Sequence, residues 1–432
     1  MVSPPALLIR DATIRSLDPA VGDFDRGDVL VEGSIITAVG VDLAPRAPDA
    51  TVIDASGMIA CPGFVDAHVH AWQGQLRGIA PVVDFADYLG ITAFGHGPRY
   101  TPEDNYAGTL ATALVALDAG TTTLVDNSHN ARTPDHAVAA VQALTDAGIR
   151  GVHAVGAPFG SPSDQIPAIA LDLRQRFASD LVSVRLFDVN PTVELWEFAK
   201  HEGFWVSSET GPHTPDLPEV FEALHGRGLL TAEHALNHCY DLPDRLWDLI
   251  ADSGAAVNLC PRSDAAFGLG STVLPVEQAL RRAIPIGLSG DNEISYGLSM
   301  FADMSALHLR HRAEVFRRTA TGDPAPGTHL TPNQVLQFAT LGGAANAGLA
   351  GTAGSLTPGK QADLVLIRTG DVATFPATDP TGTLTSVATS GNVDAVLVAG
   401  RIRKRHGQLV GIDLDAARDL ILASRDRLLA HD

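Results

Sequence analysis

The run Pro62-Gly63-Phe64-Val65-Asp66-Ala67-His68-Val69-His70 carries two histidines two residues apart. On a β-strand, side chains at i and i+2 point to the same face, so both imidazoles can be offered to one ion. The same spacing suits two ordinary histidines on one sheet face, and a bare His-x-His arises by chance. Here Pro62 and Gly63 break the chain just before the strand, and Trp72-Gln73-Gly74-Gln75-Leu76-Arg77-Gly78 follows it. That setting reads as a metal-binding pair at the end of a strand.

Such a strand needs a sheet to hold it. Residues 6–9, 29–31 and 35–39 form short β-like runs punctuated by Gly and Asp, and this texture ends near residue 54. From about residue 59, apolar runs at 122–125, 151–155, 229–232, 256–259 and 284–288 are separated by longer, Ala-rich helical stretches. Strand and helix in alternation imply parallel pairing with right-handed crossovers. Thr331-Pro332 opens a helix, with a hydroxyl N-cap and a proline at the first helical position, and Gly342, Gly343, Gly348 and Gly351 mark its end and a turn region. Short strands then return at 360–367 and 393–400, with the texture of the N-terminal segment. The two chain ends are therefore expected to share one small sheet. The division is 1–58 with 355–412 for that unit, 59–354 for the alternating unit, and an amphipathic helix over 413–432.

With 432 residues, 45% hydrophobic and 19% charged, the chain can bury a large core. A net charge of −20 repels phosphate backbones, so nucleic acid is excluded as a partner and a small-molecule substrate is expected. Cys61, Cys239 and Cys260 are too few and too scattered for a disulfide framework, which points to a reducing, cytoplasmic location. The N-terminal residues lack a basic start followed by a long apolar stretch, and no later run is long and apolar enough to suggest a membrane span. Assembly into a homo-oligomer is left open.

Together with the Pro-Gly-Phe-Val-Asp-Ala-His-Val-His run, Gly120-Thr121-Thr122-Thr123, Thr340-Leu341-Gly342-Gly343-Ala344-Ala345 and Gly354-Ser355-Leu356-Thr357-Pro358-Gly359-Lys360-Gln361-Ala362-Asp363 resemble the landmarks of the amidohydrolase superfamily. The resemblance covers nearly the whole chain and is to the branch of cytosine, guanine and adenosine-type deaminases and triazine hydrolases. It implies a (β/α)8 TIM-type barrel with a composite β-sandwich built from both termini, and an active site at the C-terminal strand ends. It also implies one divalent metal ion, zinc first, with iron, manganese or cobalt also accommodated. His68, His70 and Asp291 match three of the family's ligands. Glu209 matches its proton-shuttling glutamate, and His238 the histidine that steadies the hydrolytic water. Trp72 and Gln73 stand where these deaminases carry an aromatic residue and a glutamine near the substrate ring, and His129 lies at a strand end facing the site. His96 and His213 are less well placed.

The chain also departs from the family. The third histidine should stand three residues before Glu209, where this sequence has Val206. Valine cannot ligate, Ser207 and Ser208 are poor zinc ligands, and residues 182–186 offer no lysine for a bridged metal pair. Three outcomes follow: His238 completes the site, the metal binds through His68, His70 and Asp291 with extra waters, or the site is metal-free. The expected reaction is hydrolysis of a C–N or similar bond in a small heterocycle. Asp291 would accept the water proton, Glu209 would pass a proton to ring or leaving group, and His238 would steady the oxygen. The alternatives are a metal-free lyase or isomerase using Glu209, His238 and Asp291 as acid–base groups, and a non-catalytic relative.

Overall fold

The computed structural model describes residues 6–177, 179, 181–212, 214, 216–271 and 273–430. Eight parallel strands form one curved sheet: β1 (Phe64–Val69), β2 (Thr121–Ser128), β3 (Arg150–Val155), β4 (Val182–Asp188), β5 (Val206–Thr210), β6 (His234–His238), β7 (Ala256–Leu259) and β8 (Ile286–Leu288). Each pairs with the next in chain order. Parallel neighbours need long crossovers, and helices such as Pro102–Asp118, Pro134–Ala147 and Asp244–Ser253 supply them. The sheet curls until β1 meets the residues after β8. His70 N–H donates to Asp291 O at 2.7 Å, and Asp291 N–H donates to His68 O at 2.9 Å. The (β/α)8 barrel is thus closed by the backbone of three candidate site residues.

Two strand expectations needed correction in position. The run 229–232 is not a strand; Leu229 and Leu230 are buried in the helical layer, and β6 begins at His234. The polar spelling His234-Ala-Leu-Asn-His238 hid that strand, because its inward positions serve the barrel interior instead of an apolar core. The run 284–288 shortens to Ile286–Leu288.

Strands Leu7–Ile14, Phe24–Glu32, Ile35–Gly40, Thr51–Asp54 and Met58–Pro62 join Leu364–Arg368, Val393–Val398, Arg401–Arg405 and Gln408–Leu409 in a second, nine-stranded sheet. The two chain ends meet where Met58–Pro62 pairs antiparallel with Leu364–Arg368. Ile9, Val29, Ile36, Leu364 and Leu397 lie in its own apolar cluster. The chain passes into the barrel at Gly63, where a Cβ would stand 2.2 Å from the Thr122 side chain, so only glycine permits the crossing. Asp363 locks the junction: its carboxylate accepts from Arg150 Nε at 2.6 Å and from Ala399 N–H at 2.6 Å.

Thr331 caps its helix reciprocally with Gln334, and the chain then plugs the N-terminal end of the barrel. Ala344 and Ala347 pack there against Val65, Val125 and Val152. Gly342 and Gly343 allow this approach, since a Cβ on them would meet Ile286 O at 1.8 Å and Val65 Cβ at 2.7 Å. The helix Leu414–Leu429 lies on Pro102–Asp118, where Arg427 and Ser424 both bond Asp104. No described helix is long and apolar enough to cross a membrane.

Candidate active site

The inward side chains at the C-terminal strand ends converge on one buried centre. His68 and His70 follow the alternation of β1, and their rings stand 4.8 Å apart, edge to face. Asn127, at the end of β2, positions both. Its backbone oxygen lies 2.8 Å from His70 Nδ1, and a carbonyl only accepts. His70 therefore carries its proton on Nδ1 and turns the Nε2 lone pair to the centre. The Asn127 side-chain amide nitrogen lies 2.6 Å from His68 Nδ1. With the amide turned over, its oxygen accepts from Nδ1–H and His68 Nε2 is likewise free for an ion. That amide oxygen has no other partner to lose among the described residues.

One oxygen of Asp291 lies 3.2 Å from His68 Nε2 and 3.3 Å from His70 Nε2. Its backbone sits in the left-handed region at φ 66°, which the short polar side chain of Asp tolerates. Asp66 holds the turn in place by accepting from Gly290 N–H at 3.2 Å, which gives the aspartate of the His-x-His run its purpose. Glu209, from β5, reaches within 3.5 Å of His68 Nε2 and 3.9 Å of His70 Nε2, and its other oxygen lies 3.1 Å from His238 Nε2. Burial alone would raise both acids, yet the neighbouring histidines outweigh it. Asp291 is held well below its usual range, mostly by His68, and Glu209 falls to about 2. His70 is lowered by burial and by the adjacent His68.

His238, also at positive φ, is clamped from behind by Asp264, whose carboxylate lies 2.8 Å from Nδ1. Burial opposes its charge, but Cys260, Asp264 and Glu209 around it raise it well above the usual histidine range. An imidazolium at this point can donate from Nε2 into the centre. Sequence reasoning missed Asn127, Asp264 and Cys260, each at or just beyond a strand end. The proline after Cys260, which opens a short helix, was the available marker of a strand end there.

The donor set suits a divalent ion. His68, His70 and Glu209 offer atoms within 4.8 Å of one another, as do His68, His238, Cys260 and Asp291. His68 Nε2 and both Glu209 oxygens are buried, without a hydrogen-bond partner among the described residues. Orphaned groups of this kind are costly unless an ion or water satisfies them. Above the centre, Phe85, Tyr88, Phe159, Phe267 and Leu269 roof a cavity of about 30 Å³, room for a water and not for a ring.

The remaining expected residues sit behind this lining. Trp72 is buried against Tyr100 and His129, and Gln73 donates to Tyr88 Oη at 2.7 Å. His129 packs edge to face on His70 with ring centroids 4.4 Å apart, and burial keeps it neutral. His96 pairs with Arg99 at 2.6 Å, and His213 lies outside the described residues. His234 is turned away at the opposite end of β6, with Nδ1 accepting from Val206 N–H at 3.2 Å and Nε2 donating to Leu229 O at 2.8 Å. Val206 itself packs in the apolar layer shared with the helices, on the face of β5 opposite Glu209. The inward neighbour, Ser207, is taken by Arg185 at 3.1 Å.

The amidohydrolase family model matches residues 59–403, spanning the barrel and reaching into the terminal sheet. The chain belongs to the amidohydrolase family. It is 29% identical over 445 residues to a 5-methylthioadenosine/S-adenosylhomocysteine deaminase of Nitratidesulfovibrio vulgaris, covering 96% of each chain. In fold it is similar to an adenosine deaminase from Xanthomonas campestris with bound zinc, with a TM-score of 0.85, 22% identity and 99% of each chain covered. It is also similar to a zinc complex of atrazine chlorohydrolase from Arthrobacter aurescens, with a TM-score of 0.82, 23% identity and 97% of this chain and 100% of that one covered.

Proposed function

We propose that this amidohydrolase is a metal-dependent aminohydrolase that replaces the amino group of an adenine-type heterocycle by oxygen from water. One observation carries the reading: His68 Nε2 and the Glu209 carboxylate converge, buried and without a well-formed hydrogen bond, among the charged groups of Asp291 and His238 and beside His70. His68, His70 and Asp291 would hold the ion, zinc first among those that favour imidazole and carboxylate donors. When bound, a divalent ion supplies Lewis acidity that makes water a competent nucleophile near neutral pH. Asp291, kept ionised by its histidines, accepts a proton from the attacking water. Glu209, which faces both His68 and His238, takes the second proton of the water and carries it to the ring nitrogen, and the proton held by Asp291 is delivered to the departing amine. His238, charged between Asp264 and Glu209, donates to the oxygen as negative charge builds on it. The amine leaves as ammonia, and the ring carbon keeps the oxygen. The aromatic roof suits a flat ring, with Gln73 and His129 setting the groups beneath it. The three cysteines are free and buried, in keeping with a reducing cytoplasm.

The test is ammonia release from 5'-methylthioadenosine, S-adenosylhomocysteine and adenosine by purified protein of measured metal content, in water enriched in heavy oxygen. The reading expects ammonia, labelled product and loss of turnover on chelation. Turnover on an unlabelled route by metal-stripped protein would replace it with a lyase or isomerase.

A further inference from the structure

We propose that Cys260, as a thiolate, is a ligand of the metal and supplies the donor that Val206 withholds; this rests on the metal-dependent reading above. Four observations support it. The Cys260 sulfur, a ring nitrogen of His68 and of His238, and a carboxylate oxygen of Asp291 all lie within 4.8 Å of one another, and all four residues are buried. Three atoms so placed lie within ~2.8 Å of a common point, so Cys260, His68 and Asp291 reach zinc-bonding distances by inward shifts of under ~1 Å, while His238 keeps its place beside them as a donor. His68 Nε2, in the same centre, makes no well-formed hydrogen bond and faces carboxylate oxygens of Asp291 and Glu209 at 3.2 and 3.5 Å.

The second observation is that β5 cannot supply a third imidazole. Val206 faces the helices, and Ser207 is held by Arg185. The third is the environment of the sulfur. Ser289 Oγ lies 3.1 Å from it and Asn258 Nδ2 donates to it at 3.7 Å, and neutral donors of this kind orient a thiolate ligand and spread its charge. The fourth is His238, a ring nitrogen of which lies within 4.8 Å of the same sulfur and which is itself fixed by Asp264. Binding releases the thiol proton to solvent, so sulfur joins the ion with no change in oxidation state.

The test replaces the native ion with cobalt(II) in the full-length protein and reads the absorption spectrum. The proposal expects an intense near-ultraviolet sulfur-to-cobalt charge-transfer band. That band should vanish in Cys260→Ser, with metal affinity roughly 100-fold weaker, and persist in Cys239→Ala, whose sulfur donates to Leu236 O and packs in the apolar core. Stoichiometric cobalt without the band overturns the thiolate ligand and leaves the metal-dependent reading intact. Absence of any bound metal overturns both. If Cys260→Ser does not fold, zinc-edge X-ray absorption of the unaltered protein decides alone. A sulfur scatterer at about 2.3 Å supports the proposal, and a shell of nitrogen and oxygen only ends it.

Discussion

Asp291→Asn separates the chemistry of the site from the integrity of the barrel. The Asp291 side chain faces His68 and His70, while its backbone closes the sheet through bonds to His68 and His70 of 2.9 and 2.7 Å. Asparagine leaves those two bonds untouched and tolerates the left-handed φ of 66° as aspartate does. What it removes is the anionic oxygen proposed above to accept the water proton. Loss of a positioned general base costs about 10²–10⁴ in rate, or roughly 3–5 kcal/mol of transition-state stabilisation. The expected outcome is a kcat lowered by that factor, an unchanged circular-dichroism spectrum, and retained folding cooperativity. Asp291→Ala should lose activity equally and in addition be ~1–2 kcal/mol less stable, because alanine lacks the polar compensation for left-handed backbone. Single-turnover ammonia release at matched metal content is the assay. An Asp291→Asn enzyme within threefold of the original rate at full metal loading would refute the role of this carboxylate.

Three further outcomes follow from the same geometry. Asn127→Ala removes the side-chain anchor of His68 but keeps the backbone carbonyl that holds His70, so metal affinity should fall ~10–100-fold in chelator competition; unchanged affinity would show that His68 needs no anchor. Asp264→Asn exchanges a charge-assisted bond to His238 for a neutral one, a loss of about 1–2 kcal/mol; kcat should drop ~5–30-fold with KM little changed, and a change confined to KM would place His238 in substrate binding instead. His234, chiefly through burial, titrates in the folded chain at about 4, below the usual histidine value of 6.5. Its neutral form is therefore favoured on folding, and the stability it contributes is present above pH 6.5 and lost as pH falls toward 4. The full difference is about 3 kcal/mol, so the melting temperature of His234→Asn should fall less steeply between pH 6.5 and 4.5 than that of the unaltered chain; parallel slopes would disprove the assignment.

Much of the barrel was legible because its strands are local. Residues 122–125 and 256–259 announce themselves by apolar, β-branched content, and β2 and β7 formed there. β6 was not legible: its polar Asn237 faces the barrel interior, His234 is spent on Trp196 and the Leu229 carbonyl, and the apolar neighbours Leu229 and Leu230 lie outside the strand. Val206 shows the same limit. The sequence shows valine where the resemblance leads one to expect a histidine, but only strand alternation, fixed by pairing with β4 and β6, puts this side chain on the face of β5 opposite Glu209.

By itself the sequence determined the alternating architecture, the union of the chain ends in one sheet, and the His68-x-His70 pair, because each depends on periodicity or spacing within a few residues. Only the tertiary structure decided which groups stand around that pair. Asn127 and Asp264 become the partners that fix the site's imidazoles, and Cys260 comes within reach of His68, because curling the sheet until β1 meets Asp291 brings strand ends from all round the barrel to one point. Contacts across nearly two hundred residues of chain leave no local trace in composition or period; they exist only once the barrel has closed.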